Sequence, residues 1–374
     1  MNRTTLSLVL MLAAMAAASW FLLRWQPVDN RQLQVFRGHH GSVERLAVSP
    51  DGVYAFSAAT GRDFHGHTNY RELLVCNLSS GTESAHYRFR ADDVPDFRFH
   101  PLTGNFLAAR NDGIAGTIES WDTRLAAEGN LASGTPIYRT PGRRVERFDI
   151  SADGKTLALI ESELDIRTNR MFWLVTADAV TGKPTGNLAY GAFRCVSFSA
   201  DGKTVFTDGS GKEVLVCTSD ARLITNLGSD RGEILSLSVS SDGSNLAACR
   251  VFAERNIYTD SLVSKPLDRV VLRSRLLLWK LPDYRTEILR EDYGNSLAAD
   301  WIAGGKWIAL GGLYRLDLYD PLAKTNRFSL RGHAGRVFVT RDIANTGKIL
   351  SGGADGTMRV WSLVPLVNKN GEKK

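Results

Sequence analysis

Short apolar stretches that alternate with polar residues flank a tight turn at seven places along the chain. The turns are Pro50-Asp51-Gly52, Leu102-Thr103-Gly104, Ala152-Asp153-Gly154, Ala200-Asp201-Gly202, Ser241-Asp242-Gly243, Ala303-Gly304-Gly305 and Asn345-Thr346-Gly347. Alternation with a period of two is typical of a half-buried strand, and a glycine turn between two such strands predicts a hairpin. We therefore predict an antiparallel hairpin at each turn.

The spacing of these turns indicates a repeat. Successive turn glycines are separated by 52, 50, 48, 41, 62 and 42 residues. A period of about 40 to 45 residues is typical of a four-stranded unit stacked against its neighbours, and longer spacings indicate insertions. A third strand follows most of the hairpins, as in Leu73–Leu78 and Arg275–Leu281.

The last repeat, residues 330–363, carries the most specific residues. It contains Gly332-His333, Ser351, the turn residue Asp355 and the strand residue Trp361. These positions resemble those of the WD-repeat β-propeller family, except that Ser362 stands where the family usually has Asp. The resemblance, with the seven turns, implies an all-β, seven-bladed β-propeller of four-stranded antiparallel sheets. The apolar N-terminus separately predicts that one N-terminal hydrophobic helix precedes the propeller. The resemblance also implies that residues 32–36 complete the last blade, which removes exposed sheet edges.

The same resemblance assigns a role to four side chains. His333, Ser351, Asp355 and Trp361 are expected to form a buried structural hydrogen-bond network. A hydrolase triad is the alternative for the first three, but no nucleophile-elbow pattern surrounds Ser351. We predict no catalytic residue and no enzyme activity. His39 and Ser57 form a partial version of the same pattern.

The first 26 residues contain an uncharged apolar run from Leu6 to Leu23. A helix of that length nearly spans the hydrocarbon core of a bilayer. It is either a retained transmembrane anchor, favoured by Trp20 and Trp25 at the interface, or a signal peptide cleaved after the small residues near Ala18. We expect residues 1–26 to be this segment, 27–366 the propeller and 367–374 a disordered tail. The propeller is expected outside the cytoplasm on a single-pass anchor, or as a secreted or periplasmic protein if the segment is a cleaved signal.

Three insertions predict a binding surface for other proteins. Residues 58–71, 161–170 and 250–275 lie between second and third strands, and the resemblance places those connections on one face. The candidate partner-binding residues are Arg62, His65, His67, Arg143, Arg144, Arg255, Arg269 and Arg273, with Arg71 nearby and partial balance from Asp63, Glu161, Glu163 and Asp260. The alternative interpretation is that these are solvent-exposed loop residues without a binding role.

Other chemistry receives little support from the sequence. His65 and His67 have a spacing that can bind a metal, but two ligands do not define a site, and an exposed pair of loop histidines is the favoured interpretation. No two of the four cysteines have metal-ligand spacing, so we predict no metal and no cofactor. The net charge of +6 does not indicate nucleic acid without a recognisable module. The expected function is a non-catalytic protein-interaction platform. The alternative is a small-ligand binder or a hydrolytic enzyme that uses the central funnel.

Overall fold

The computed structural model describes residues 31–364, except 63–67, 91–92, 132–133, 164–170, 191–192, 210–211, 229–231, 259–266, 294–297 and 345. The expected membrane segment 1–26, the expected tail 367–374, His65 and His67 therefore lie outside the described residues. Among the residues that are described, no helix has the length and apolar character needed to cross a bilayer.

The described regular structure is β-strand, apart from one short helix. β1 (Gln32–Phe36) comes first, and five antiparallel four-stranded sheets follow, each with its strands paired in chain order. The first two sheets comprise β2 (Ser42–Val48), β3 (Tyr54–Arg62), β4 (Thr68–Asn77), β5 (Thr82–Arg90), then β6 (Phe97–Phe99), β7 (Phe106–Asn111), β8 (Ala115–Trp121) and β9 (Thr135–Pro141). The helix α1 (Thr123–Ala127) lies between β8 and β9 and begins where the Asp122 carboxylate accepts two backbone N–H groups.

The next three sheets follow the same plan. They comprise β10 (Arg143–Ile150), β11 (Thr156–Glu163), β12 (Phe172–Asp178), β13 (Pro184–Tyr190), then β14 (Val196–Phe198), β15 (Thr204–Gly209), β16 (Glu213–Thr218), β17 (Leu223–Leu227), then β18 (Glu233–Val239), β19 (Asn245–Tyr258), β20 (Leu267–Lys280) and β21 (Arg285–Tyr293).

Four of the predicted hairpin turns between first and second strands contain the same side-chain hydrogen bond. In each, a serine hydroxyl donates to the aspartate two residues later. The pairs, with Oγ to Oδ1 distances, are Ser49–Asp51 at 2.5 Å, Ser151–Asp153 at 2.6 Å, Ser199–Asp201 at 2.6 Å and Ser240–Asp242 at 2.5 Å. The glycine that follows each aspartate has a positive φ, which a residue with a Cβ rarely adopts. These local interactions explain why the hairpins could be predicted from short segments.

The last part of the chain departs from the prediction. It forms one sheet of seven strands in the order β1-β27-β26-β25-β24-β23-β22. Its strands after β1 are β22 (Ala298–Ile302), β23 (Trp307–Gly311), β24 (Leu313–Asp320), β25 (Thr325–Ile343), β26 (Lys348–Gly353) and β27 (Met358–Ser362). The prediction of seven separate four-stranded blades is therefore wrong, because the structure has five four-stranded blades and this single larger sheet.

The physical reason is the continuity of β25, which has 19 residues. Its first part pairs with β24 and its second part pairs with β26. Between them, Arg336 still pairs with Leu313, and the Val337 N–H donates to the Gly312 carbonyl at 2.9 Å. The glycines of this segment predict an interruption of the strand, and the register of β25 against β24 does shift between Arg331 and Arg336. Pairing resumes at Arg336 and Val337, so β25 continues into the next part of the sheet.

The predicted pairing of residues 32–36 with the end of the chain is confirmed. β1 is antiparallel to β27, with Gln34 opposite Val360 and Phe36 opposite Met358. The Phe36 side chain is buried in the apolar cluster that also contains Met358 and Val360. The first described strand therefore covers the edge that β27 would otherwise expose.

The sheets close into a ring around an axial channel. The first strands contact one another in the cycle β2, β6, β10, β14, β18, β22 and the second part of β25, which returns to β2. Apolar side chains fill the space between adjacent sheets, as where Leu107 and Ile118 of one sheet pack with Phe148 and Leu159 of the next. Burying each such side chain contributes about 1.5–3 kcal/mol. The all-β propeller prediction is confirmed.

Candidate partner-binding face and axial channel

One side of the ring, which we call the loop face, carries the candidate residues. It is the side where the first strand of each sheet begins and the second strand ends, because Ser42 pairs with Thr60 and Arg143 pairs with Glu163. The opposite side, which carries the serine-aspartate turns, is the turn face. Hydrogen bonds join neighbouring sheets along the loop face, as where the Asn111 side chain bonds to both backbone groups of Val145.

The structure brings together the four residues assigned to the structural network. His333 Nδ1 lies 3.0 Å from Asp355 Oδ1, and His333 Nε2 lies 2.8 Å from Ser351 Oγ. Trp361 Nε1 donates to the same Ser351 oxygen at 2.8 Å. With a neutral histidine, these bonds form one continuous chain: the indole donates to the serine hydroxyl, the hydroxyl to Nε2, and Nδ1–H to the carboxylate.

Burial and charge tune this network. Burial lowers the pKa of His333, although Asp355 opposes the shift. Burial alone would raise the pKa of Asp355, but the hydrogen bonds from His333, the Ala334 backbone and Thr357 outweigh it and hold that pKa well below the usual range. Asp355 also accepts the backbone N–H of Ala334 at 2.8 Å, so the carboxylate fixes the loop leading into the second part of β25.

Close packing around His333 explains one glycine of the motif. A Cβ at Gly353 would lie 2.8 Å from His333 Nδ1, closer than real Cβ contacts. Only glycine fits this position while the imidazole keeps its bond to Asp355.

The first repeat has a related network whose carboxylate was missed from the sequence. His39 Nε2 lies 2.7 Å from Ser57 Oγ, as in the last repeat. Glu72, on β4, accepts the backbone N–H of His40 at 2.9 Å and bonds to His40 Nδ1 at 2.8 Å. His39 Nδ1 is 3.6 Å from Glu72 Oε2, beyond hydrogen-bond distance. Glu72 therefore holds the loop backbone as Asp355 does, but holds the imidazole less closely.

Glu72 is the charged centre of this cluster. Its side chain is 0% exposed, and His86 and Arg88 of β5 lie 3.7 and 3.5 Å from its Oε1. Burial would raise the pKa of Glu72, but the hydrogen bonds from His40 lower it below its usual value. Burial lowers the pKa of His39 to about 4. At neutral pH the cluster therefore contains an ionised glutamate and a neutral His39.

The described arginines of the predicted binding surface are all held by neighbouring side chains. Arg143 donates to the buried Glu161 at 3.0 Å and lies 3.9 Å from the ring centroid of Trp173. Arg144 lies 3.8 Å from Glu146. Arg273 forms an ion pair with Glu254 and lies 3.4 Å from Glu291. The surface at these positions is thus of mixed charge.

The remaining predicted residues are not brought together by the described structure. Arg62, Arg255 and Arg269 lie on β3, β19 and β20, but their side chains, with His65, His67, Asp63 and Asp260, fall outside its described part. Among the side chains that are described, no group of three or more His, Cys, Asp or Glu residues could hold a metal ion.

The largest insertion forms a β-ribbon. β19 and β20 each have 14 residues and pair along their full length, from Asn245 opposite Lys280 to Tyr258 opposite Leu267. β18 pairs with β19 only as far as Val251, and β21 pairs with β20 only from Arg273. Residues 252–258 and 267–272 therefore extend past the sheet at the loop face, and we call them the arm.

Charged side chains line the axial channel, which the sequence did not predict. One cavity of about 130 Å³ is bordered by Arg45, Asp96, Arg98, Arg147, Arg194, Asp300 and Arg341, among others. A wider cavity of about 560 Å³ on the turn-face side shares Arg98, Asp300 and Arg341 and is bordered by Ser197, Ser238 and Ser240. The lining therefore combines residues from the first strands of different sheets.

Four channel arginines adopt the same conformation. Each guanidinium donates from one terminal nitrogen to the carbonyl of the preceding residue. The distances are 2.8 Å for Arg45, 2.8 Å for Arg98, 2.6 Å for Arg147 and 2.7 Å for Arg341. The available sequence signal is a charged residue just before the first inward apolar residue, as in Arg45-Leu46, Asp96-Phe97 and Arg147-Phe148.

Comparison with known families gives one match. A family model described as WD domain, G-beta repeat matches residues 30–70 and 324–362. The first stretch contains His39 and Ser57, and the second contains the whole network around His333. No curated protein matches the chain at a significant level.

Proposed function

We propose that this chain, a propeller in which two stretches match the WD domain, G-beta repeat model, is a non-catalytic platform that binds another protein on its loop face. The observation that carries this proposal is the arm, a two-stranded ribbon that extends past its own sheet on that face. A closed ring of sheets gives such a ribbon a rigid base, and binding segments are commonly loops or hairpins placed on a rigid scaffold.

The base of the arm is fixed by side chains of three strands. Arg273 forms an ion pair with Glu254 across the ribbon and approaches Glu291 on β21, which also accepts from Arg275 Nε at 3.1 Å. The Arg275 guanidinium lies 4.7 Å from the ring centroid of Phe252. These contacts limit the angles that the arm can take, which lowers the entropy lost on binding.

The outer edges of the arm offer a way to bind. Beyond Val251 and before Arg273, the described backbone of the ribbon pairs only with itself. An extended segment of a partner can add to such an edge through main-chain hydrogen bonds. A protein partner that contributes a strand is therefore the class we favour.

The burial and hydrogen bonds of His333 and Ser351 support a platform without catalysis. Ser351 is fully buried, and its oxygen already contacts His333 and Trp361. A nucleophile needs an approach for substrate and a hydrogen-bonded base that can take its proton. The buried network instead holds the loop backbone in place.

The proposal can be tested with an arm-shortened variant. Residues 255–270 are replaced by Asn-Gly, which closes a two-residue hairpin while keeping Glu254 opposite Val271 and retaining the Arg273–Glu254 pair. Proteins cross-linked to the intact chain in its source cells are identified, purified and tested for direct binding to both forms. We expect at least a tenfold weaker direct binding to the shortened form.

A matched control lies on the opposite side of the ring. Val180 and Leu322 are exposed residues of the turn face, and Val180→Ser with Leu322→Ser should leave the binding unchanged. Binding that survives arm shortening and is lost in the turn-face variant would contradict the proposal. Partner-independent hydrolysis of a sugar or ester substrate by the purified chain would overturn the non-catalytic part.

We also propose that residues 1–26 tether the propeller to a membrane and that the propeller lies outside the cytoplasm. The support is the apolar run from Leu6 to Leu23, with Trp20 and Trp25 near its C-terminal end. Fractionation combined with protease accessibility of intact cells tests this. Recovery with the soluble cytoplasmic proteins would contradict it.

A further inference from the structure

We propose that the axial channel is a binding site for a small tetrahedral oxyanion, of phosphate or sulfate size, held by Arg45, Arg98 and Arg147. This inference goes beyond the proposed partner binding and concerns a different part of the molecule. It rests on an imbalance of charge around one buried carboxylate, on the geometry of the guanidinium groups and on the cavity that they border.

The imbalance is centred on Asp96, whose side chain is 1% exposed. Arg98 bonds to it at 2.9 Å, and Arg45 Nε lies 3.6 Å away. Arg147 approaches the same group from the next sheet and lowers the Asp96 pKa together with Arg98 and Arg45, against the opposing effect of burial. One carboxylate thus faces three guanidinium groups.

Arg147 has no carboxylate partner among the described residues. Its guanidinium donates only to two backbone carbonyls, those of Glu146 at 2.6 Å and Pro95 at 3.5 Å. Carbonyl groups satisfy part of its hydrogen-bonding capacity but do not neutralise its charge. A guanidinium has five N–H donors, so it keeps donors for a ligand in the channel.

The neighbouring carboxylates do not remove the imbalance. Asp149 is 3.6 Å from Arg98, but its Oδ2 is used to accept the Phe198 N–H at 2.9 Å, and burial raises its pKa. Asp300 pairs with Arg341 at 3.1 Å and accepts from Thr340. The lining of the cavity as a whole carries five arginines against three carboxylates, those of Glu44, Asp96 and Asp300, so an excess of positive charge remains.

The positive charge of Arg147 makes it less favourable for Arg45 to carry its own charge. Burial, followed by the charge of Arg147, lowers the pKa of Arg45 below that of a free arginine. Because arginine stays protonated in proteins, the lowered value describes a cost of holding the charge rather than a neutral group. A bound anion would reduce that cost.

The size of the cavity favours a small oxyanion over a peptide. Its volume of about 130 Å³ compares with about 30 Å³ for each water in the liquid, so it has room for a few waters or one ion of phosphate size. Guanidinium groups bind tetrahedral oxyanions through paired N–H donors, and several can share one ion. The wider cavity on the turn-face side shares Arg98, Asp300 and Arg341 with the smaller one.

The experiment measures binding of inorganic phosphate and of sulfate to the full chain by titration calorimetry, at constant ionic strength maintained with sodium chloride. The test variant is Arg147→Gln, and the matched control is Arg222→Gln, whose side chain is 82% exposed outside the channel. We expect saturable binding to the unsubstituted chain and the control, and at least a tenfold weaker binding to Arg147→Gln. Without added anion, Arg147→Gln should unfold at the same temperature as the unsubstituted chain or higher.

Equal binding to Arg147→Gln and the unsubstituted chain would overturn the proposal, as would the absence of saturable binding to the folded, unsubstituted chain. If Arg147→Gln does not fold, Arg45→Gln provides the same test from the other side of the cavity. Arg147→Lys keeps the charge but has no paired donors, so partial recovery of binding is expected. Failure of these results would leave the arm and its partner untouched.

Discussion

The first and last repeats fix their loop-face segments with different residues. In the last repeat, the turn residue Asp355 accepts from His333 and from the Ala334 backbone. In the first repeat, the strand residue Glu72 accepts from the His40 backbone but lies 3.6 Å from His39 Nδ1. Both repeats thus place a carboxylate against the loop backbone, although it comes from a turn in one and from a strand in the other.

The strand register explains how Glu72 in the first repeat replaces Asp355 of the last repeat. Ser351 is opposite Arg359 and Ser57 is opposite Leu74, so Thr357 and Glu72 occupy equivalent places two residues earlier. Thr357 supports Asp355 through a 2.8 Å hydrogen bond. The longer Glu72 side chain reaches the loop directly, so the β3–β4 connection is free to carry an insertion in place of the Asp turn.

The largest expected difference between the two repeats concerns their third strands. Trp361 is fully buried and donates to Ser351, while Cys76 occupies the equivalent place and is also fully buried. We expect Trp361→Ala to lower the free energy of unfolding by about 3–5 kcal/mol, through loss of packing and of the hydrogen bond. Cys76→Ala, which removes one sulfur atom, should cost about 1 kcal/mol. Urea unfolding measures both, and equal losses would contradict the comparison.

The next expected difference concerns the two histidines. His333→Ala leaves Asp355 and Ser351 without their shared partner and should cost about 1–3 kcal/mol. His39→Ala should cost less, about 0.5–1.5 kcal/mol, because Nδ1 of His39 makes no hydrogen bond. Thermal unfolding of both variants at pH 7.5 provides the measurement. A greater loss in His39→Ala would show that the first network is the tighter one.

A smaller difference is expected in the response to acid. The pKa of His39 is about 4 in the folded chain, against about 6.5 in the unfolded chain. Because the folded value is the lower one, the unfolded chain binds the proton first, and stability falls as the pH drops below about 6.5. His39→Gln should remove about 1 kcal/mol of the loss between pH 7 and pH 5.5. An unchanged pH slope in this variant would contradict the burial of a neutral His39.

The sequence predicted the features that depend on short segments. The hairpins follow from the serine-aspartate-glycine turns, and the meeting of residues 32–36 with the last strand follows from the repeat pattern. It failed at β25, because glycines near Arg331 and Arg336 usually interrupt a strand, whereas here Val337 continues the hydrogen bonding. Tertiary pairing overrode a local signal.

The missed site residues have a different explanation. Glu72 follows a long insertion, so its register against Ser57 cannot be read from spacing alone. The channel arginines come from separate repeats, and Asp96 occupies in one repeat the place that Arg45 and Arg147 have in others. A search for one residue type at one repeat position therefore finds no pattern, although the closed ring places these charges together.

Each of these two carboxylates, Glu72 and Asp355, fixes the loop of its own repeat. Hydrogen exchange of the full chain tests this role most directly, by following peptides that cover residues 37–43 and 331–337 in Glu72→Ala and Asp355→Ala. We expect residues 37–43 to exchange faster in Glu72→Ala and residues 331–337 to exchange faster in Asp355→Ala. In each variant the other peptide should exchange at its usual rate. Unchanged exchange of residues 37–43 in a folded Glu72→Ala chain would contradict this role.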